Sequence, residues 1–194
     1  MDVHGLRPIG RANENPGMRH RARTAEVTIR VATAADAPAL AALRNAAADH
    51  LTRQHGRGHW SAVVTEPGQL RSIAASRVLV ACDDDRVAGT LRLTTKKPWA
   101  IETSRFSRVS RAVYLVDMAV APARQHQGVG RLLVQEAMAV AANWPAGAIR
   151  LDAYDGAAGA GPFYAKCGFR EVCRASYRGV PLIYFELLLP SDAG

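Results

Sequence analysis

Apolar positions along the chain recur with periods that predict a run of short strands and helices. Residues 27–32 alternate apolar and polar like a first strand. Asp36 and Pro38 then open an alanine-rich helix through about Thr52, with Leu40 and Leu43 on its apolar face. Residues 54–60 hold two glycines and break that helix, and residues 68–76 predict a second, short one. Residues 78–82 and Arg86–Thr94 read as strands of a hairpin turned at Asp83-Asp84-Asp85. A polar loop over 96–111 leads to an apolar strand, Ala112–Val120, and then to a helix, Val129–Asn143. Val129, Leu132, Leu133, Ala137 and Val140 fall on one face of this helix, and Trp144-Pro145 ends it. A strand at Ala148–Tyr154, a short helix at 158–167 and a final strand pair at 169–176 and 181–189 complete an α/β pattern with no internal repeat.

The junction between the strand at 112–120 and its helix holds the chain's clearest chemistry. Gly128 and Gly130 stand where the first amides of a helix lack intrahelical acceptors and point into the loop. The helix dipole adds partial positive charge there, so the turn suits a phosphate group. A Walker loop needs Lys-Ser/Thr after its last glycine, but Arg131-Leu132 follows Gly130. A dinucleotide fingerprint needs a third glycine at position 133, which is Leu133.

The run Val120-x-Pro122-x-x-Gln125-x-x-Gly128-x-Gly130 resembles the acyl-CoA loop of the GNAT acetyltransferases. A second motif, Phe163, Tyr164, Lys166, Gly168 and Phe169, is similar to the F-Y-x-K-x-G-F of the same family. The resemblance covers residues 28–189. It implies the GNAT fold, a mixed sheet with helices on both faces and a splay between its fourth and fifth strands. It also implies acetyl transfer from acetyl-CoA to an amine by direct attack, with no metal and no covalent enzyme intermediate. The pantetheine arm would lie in the splay against the backbone of Met118 and Val120, with an amide near Met118 or Ala119 facing the developing oxyanion. The pyrophosphate would rest on Gln125, His126, Gln127, Gly128, Val129, Gly130 and Arg131. Tyr164 matches the family's general acid for the departing thiolate. For the general base, Asp117 in the central strand is the first candidate, and Asp152, Asp155 and Glu186 stay open beside it. Two positions depart from the family pattern. Ala157 stands where an Asn usually opens the short helix, and Gln125-His126 replaces the usual R-G.

Length and composition fit a single domain over 26–190 behind a basic tail, 1–25, expected to have little order. The 194 residues are 48% hydrophobic and 22% charged, which are globular values. No apolar run approaches the roughly 18 residues of a membrane span. Cys82, Cys167 and Cys173 are odd in number and lack C-x-x-C spacing, so reduced thiols and a cytoplasmic location are expected. The net charge of +8 raises nucleic acid as a partner, but the basic residues are spread out and aromatics do not interleave with them. His50, His55 and His59 do not share one helix face, so no metal site is expected.

The expected function is therefore an acetyl-CoA-dependent N-acetyltransferase acting on a small-molecule amine, with no nucleic-acid or membrane partner. A protein N-terminal or lysine acetyltransferase and a non-catalytic acyl-CoA-binding protein are the alternatives. The nearly continuous apolar run at 181–189 needs cover on both faces, from a helix of the same chain or from a second subunit, and a homodimer through it is expected.

Overall fold

The computed structural model describes residues 27–190, and the tail expected over 1–25 lies outside them. Seven strands form one sheet: β1 (Val27–Val31), β2 (Arg77–Asp83), β3 (Arg86–Thr94), β4 (Ala112–Val120), β5 (Ala148–Tyr154), β6 (Arg170–Tyr177) and β7 (Val180–Leu188). Their spatial order is β1-β2-β3-β4-β5-β7-β6. All neighbours are antiparallel except β4 and β5. Four helices connect them: α1 (Ala37–His55), α2 (Glu66–Ala75), α3 (Val129–Asn143) and α4 (Gly161–Lys166).

The middle of the sheet is buried on both faces, as its near-continuous apolar strands demand. Leu79 and Ala81 of β2 join the main core, where α3 contributes Val129, Leu133, Val134, Ala137 and Ala141. Val78, Val80 and Cys82 point the other way, to Leu40 of α1 and Ile73 of α2. The buried stripe of α3 is thus rotated from the expected one, and Leu132 is exposed. α2 begins at Glu66, two residues earlier than its apolar pattern indicated. Thr65 caps it by accepting the Gly68 amide at 3.3 Å, and Pro67 suits the first turn.

Two expectations need correction. α4 starts at Gly161 rather than 158. A Cβ on Gly159 would lie 1.9 Å from the Tyr154 carbonyl oxygen, so the preceding residues are spent on a tight glycine turn against β5. The loop over 96–111 is not merely polar: Ile101 and Phe106 are buried against Tyr114, Leu182 and Tyr184. With Ile183 and Phe185 in the main core, both faces of β7 are covered by this chain. β7 is also an interior strand, so its apolar run requires no second subunit, and the ground for expecting a dimer there is gone.

Glu186, the one acid in that run, is buried and structural. Arg150 Nε donates to it at 3.0 Å, Arg170 Nη2 at 3.2 Å and the Ser107 amide at 3.3 Å. Burial pushes the carboxyl up, but the hydrogen bonds from Ser107 and Arg150 outweigh it and hold it below the ordinary value of 4.5. Its stabilising contribution is therefore complete above the unfolded value and lost as pH falls through the folded one. Urea unfolding at stepped pH should show stability dropping below about 4.5. Glu186→Ala should cost about 3–5 kcal/mol at neutral pH, because it strands buried Arg150.

Candidate active site

β4 and β5 pair only at Ala112–Ala148, Val113–Ile149 and Tyr114–Arg150. Beyond Tyr114 the strands diverge, so the β4 edge from Leu115 to Val120 faces a gap, the splay expected between the fourth and fifth strands. On its other edge, β4 shifts register against β3 between Thr90 and Arg92. Asp117 sits in that bulge with a φ of 55°. Such bulges re-aim side chains: here Asp117 turns to Arg44 and Arg92, and Met118 to the Tyr164 hydroxyl.

The loop after β4 is held from behind. Arg124 Nη1 lies 2.5 Å from Asp83 Oδ2 at the β2–β3 hairpin. Gln125 Nε2 donates to the Val120 carbonyl at 3.3 Å, and Gln127 Nε2 to Ala123 at 2.8 Å. Gly128, the residue before α3, has a φ of 87°. The helical ladder starts with the Leu132 amide on the Gly128 carbonyl at 3.1 Å, so the amides of 129–131 have no acceptor within α3.

The two glycines differ in role. A Cβ on Gly128 would meet nothing within 4 Å, but the φ of 87° favours glycine there. A Cβ on Gly130 would come within 3.1 Å of Met118 Cε and Phe163 Cζ, so Gly130 lets α3 approach β4 and α4 closely.

Tyr164 is buried in an aromatic cluster with Phe163, Phe169 and Phe185, at ring separations of 5.2, 5.7 and 6.0 Å. Its hydroxyl donates to Met118 Sδ at 3.7 Å, which brings it to the splayed edge of β4. Burial, with the Asp152 charge adding to it, pushes its pKa far up. The phenol therefore stays protonated at working pH, the state a general acid needs.

The four carboxylates considered as bases separate clearly. Asp117 lines the cavity, but Arg44 Nη2 takes one of its oxygens at 2.8 Å and Arg92 Nε the other at 2.7 Å. Asp155 pairs with Arg174 at 3.2 Å, and Glu186 is tied into the core. Asp152 lines the cavity and has no ion pair among the described residues. Burial pushes its carboxyl above the usual carboxylate range. Burial also lowers the imidazole of His59, against an opposing pull from Asp152.

Asp117, Asp152, His59 and Tyr164 open on one cavity of about 1460 Å³, whereas Asp155, Glu186, Gln127 and Val129 do not line it. Met118, Ala119, Val120, Gln125, His126, Gly128, Gly130 and Arg131 lie along its loop side, with Tyr164 and Asp152 deeper. Its far wall is the C-terminal half of α1, the turn at His59–Ser61, and Trp99 from the long loop. Trp99 and the Arg44–Asp117–Arg92 cluster have no signal in the sequence, since one is a lone aromatic in a polar stretch and the other joins residues far apart in the chain. Among the described residues, no group of three His, Cys, Asp or Glu side chains is arranged to hold a metal ion, and no helix is long and apolar enough to cross a membrane.

The same architecture recurs in solved structures. yncA from Salmonella typhimurium, solved with acetyl-CoA, is 22% identical, with a TM-score of 0.63 over 87% of this chain and 96% of its own. The ribosomal-protein-alanine N-acetyltransferase of Brucella melitensis is also 22% identical, with a TM-score of 0.63 over 84% of this chain and 99% of its own. The paia N-acetyltransferase of Thermoplasma acidophilum, solved with coenzyme A, is 15% identical, with a TM-score of 0.62 over 82% of this chain and 98% of its own. No curated protein sequence gives a significant match. These likenesses establish the fold. The family is set by sequence, because the model of the acetyltransferase (GNAT) family matches residues 41–169, a span that takes in the splay, the loop and the Tyr164 helix. The chain belongs to the GNAT acetyltransferase family.

Proposed function

We propose that this protein transfers an acetyl group from acetyl-CoA to the primary amine of a small molecule. The observation that carries this reading is the cavity shared by Gly130 and Arg131 at the start of α3, Tyr164 and Asp152. The loop suits a diphosphate: its unsatisfied amides sit at the positive end of α3, Gly128 leaves the approach clear, and Arg131 adds charge. The β4 edge from Met118 to Val120 offers backbone groups for the amides of the pantetheine arm, and an amide near Met118 or Ala119 serves the oxyanion. CoA-bound neighbours with the same fold support the donor assignment.

In the reaction, the neutral amine attacks the thioester carbon. The C–N bond forms, the C–S bond breaks, and the leaving thiolate takes the Tyr164 proton. The amine's proton goes to a carboxylate. Asp117, with both oxygens held by arginines, serves better as a strut that fixes the bulge than as the base. We assign the proton to Asp152, directly or through water. The walls around the acceptor end come from three separate segments, α1, the turn after it and the long loop, which favours a small molecule over a protein chain that must pass through an open groove.

Two measurements test this reading. Free thiol should appear from acetyl-CoA when pooled small amines are supplied. Release that depends only on added proteins or peptides would overturn the small-molecule assignment. Asp152→Asn should lower kcat by about 10²-fold, the low end of what a general base supplies. The acid limb of the wild-type kcat/KM profile should lie above the ordinary aspartate value of 3.8, because burial raises Asp152. A limb unchanged in Asp152→Asn would assign the base elsewhere.

A further inference from the structure

The wall opposite the phosphate loop carries information about the acceptor. Ala37, Leu40 and Ala41 of α1 are buried against the sheet. The same helical stripe continues with Arg44, Ala47, Ala48 and Leu51, at offsets of three and four, but there it lines the cavity instead. Apart from Arg44, which pairs with Asp117 at 2.8 Å, this half of the stripe is apolar and only half-buried. Beside it, in the turn that Ser61 ties to Thr52 of α1 at 2.9 Å, Trp60 is held by edge contacts with His59 at 5.0 Å and Tyr154 at 5.4 Å. At the rim stand Val63 and Trp99, 81% and 84% exposed, which are the largest exposures among the described large apolar side chains. Apolar surface concentrated at one cavity mouth marks a site for an apolar ligand.

Charge narrows the class further. Asp117 and Asp152 are the carboxylates that line the cavity among the described residues. Asp117 is shared by Arg44 and Arg92, so that cluster carries one net positive charge. Asp152 alone is left to meet an amine. A second ammonium on the acceptor would enter without a partner and face a guanidinium, which is costly where water is displaced.

We infer that the acceptor is a monoamine carried on an aromatic or bulky apolar body, which seats on the wall made by Ala47, Ala48, Leu51, Trp60 and Trp99. Polyamines, aminoglycosides and extended peptides are disfavoured. The inference rests on the acetyl-transfer reading and names the substrate class of that same site.

The test compares phenethylamine and tryptamine with spermidine, kanamycin and a lysine-containing peptide, using the full chain and acetyl-CoA. kcat/KM for the aromatic monoamines should exceed the others by about 10²-fold, the worth of burying one ring. In Ala48→Trp, which fills the seat, KM for phenethylamine should rise at least about tenfold while acetyl-CoA affinity by calorimetry holds. Equal or better use of spermidine or peptide would overturn the inference, as would an unchanged KM in Ala48→Trp. Calorimetric binding of the same amines to the CoA-loaded protein reads the seat without turnover. Preferential phenethylamine binding with no acetylation would uphold the seat and refute acetyl transfer. Binding with no preference over spermidine would refute the seat.

Discussion

Replacing Tyr164 with Phe should lower turnover by about 10²–10⁴-fold, the usual worth of a positioned acid, while acetyl-CoA affinity stays unchanged. The substitution keeps the ring and its contacts with Phe163, Phe169 and Phe185, so the fold should survive. What it removes is a hydroxyl whose one described contact is the Met118 sulfur, a weak acceptor. A buried phenol so poorly satisfied by protein is available to a thiolate. Steady-state kinetics beside calorimetry separates the two effects. Full turnover in Tyr164→Phe would make the residue a packing aromatic and leave water to protonate the thiolate.

The second large effect is expected at Gly128. Gly128 lines the cavity at the start of α3 and holds a φ of 87° that a β-branched residue resists, so a valine there should reshape the approach to the first amides of α3 and weaken acetyl-CoA binding strongly by calorimetry. The positive φ makes the variant strained, at about 1–3 kcal/mol, so its folding must be checked by circular dichroism. Gly130→Val is the instructive contrast. Its side chain would press on Met118 and Phe163, so the expected loss is in melting temperature first, with binding weakened through the displaced helix. A folded Gly128→Val that binds acetyl-CoA normally would remove the loop from the donor site.

How far the sequence foretold this site depends on how local each feature is. The strand, loop and α3 are contiguous, and the residues that shape the anion site lie within a dozen positions of one another, so the pattern of glycines and apolar residues exposes them. The central strands are legible because burial on both faces leaves near-continuous apolar runs. The start of α4 is not, because it depends on Gly159 meeting the Tyr154 carbonyl, a contact with no sequence period. Nor is the loop over 96–111: Ile101 and Phe106 cover β7, but two apolar residues among many polar ones make no pattern. The pairing of Asp117 is illegible for the same reason. Its partners Arg44 and Arg92 come from α1 and β3 and meet it only once the sheet is assembled.

The central claim is direct acetyl transfer from CoA to an amine nitrogen in the splay between β4 and β5. The most direct measurement supplies acetyl-CoA labelled in the acetyl carbonyl carbon, with phenethylamine in excess, and follows label and free thiol together by mass spectrometry. The account predicts that labelled amide and free CoA thiol appear one for one, with no label on the protein at any time. Label lodged on Cys167 or another side chain as a turnover intermediate, or thiol release without labelled amide, would contradict it.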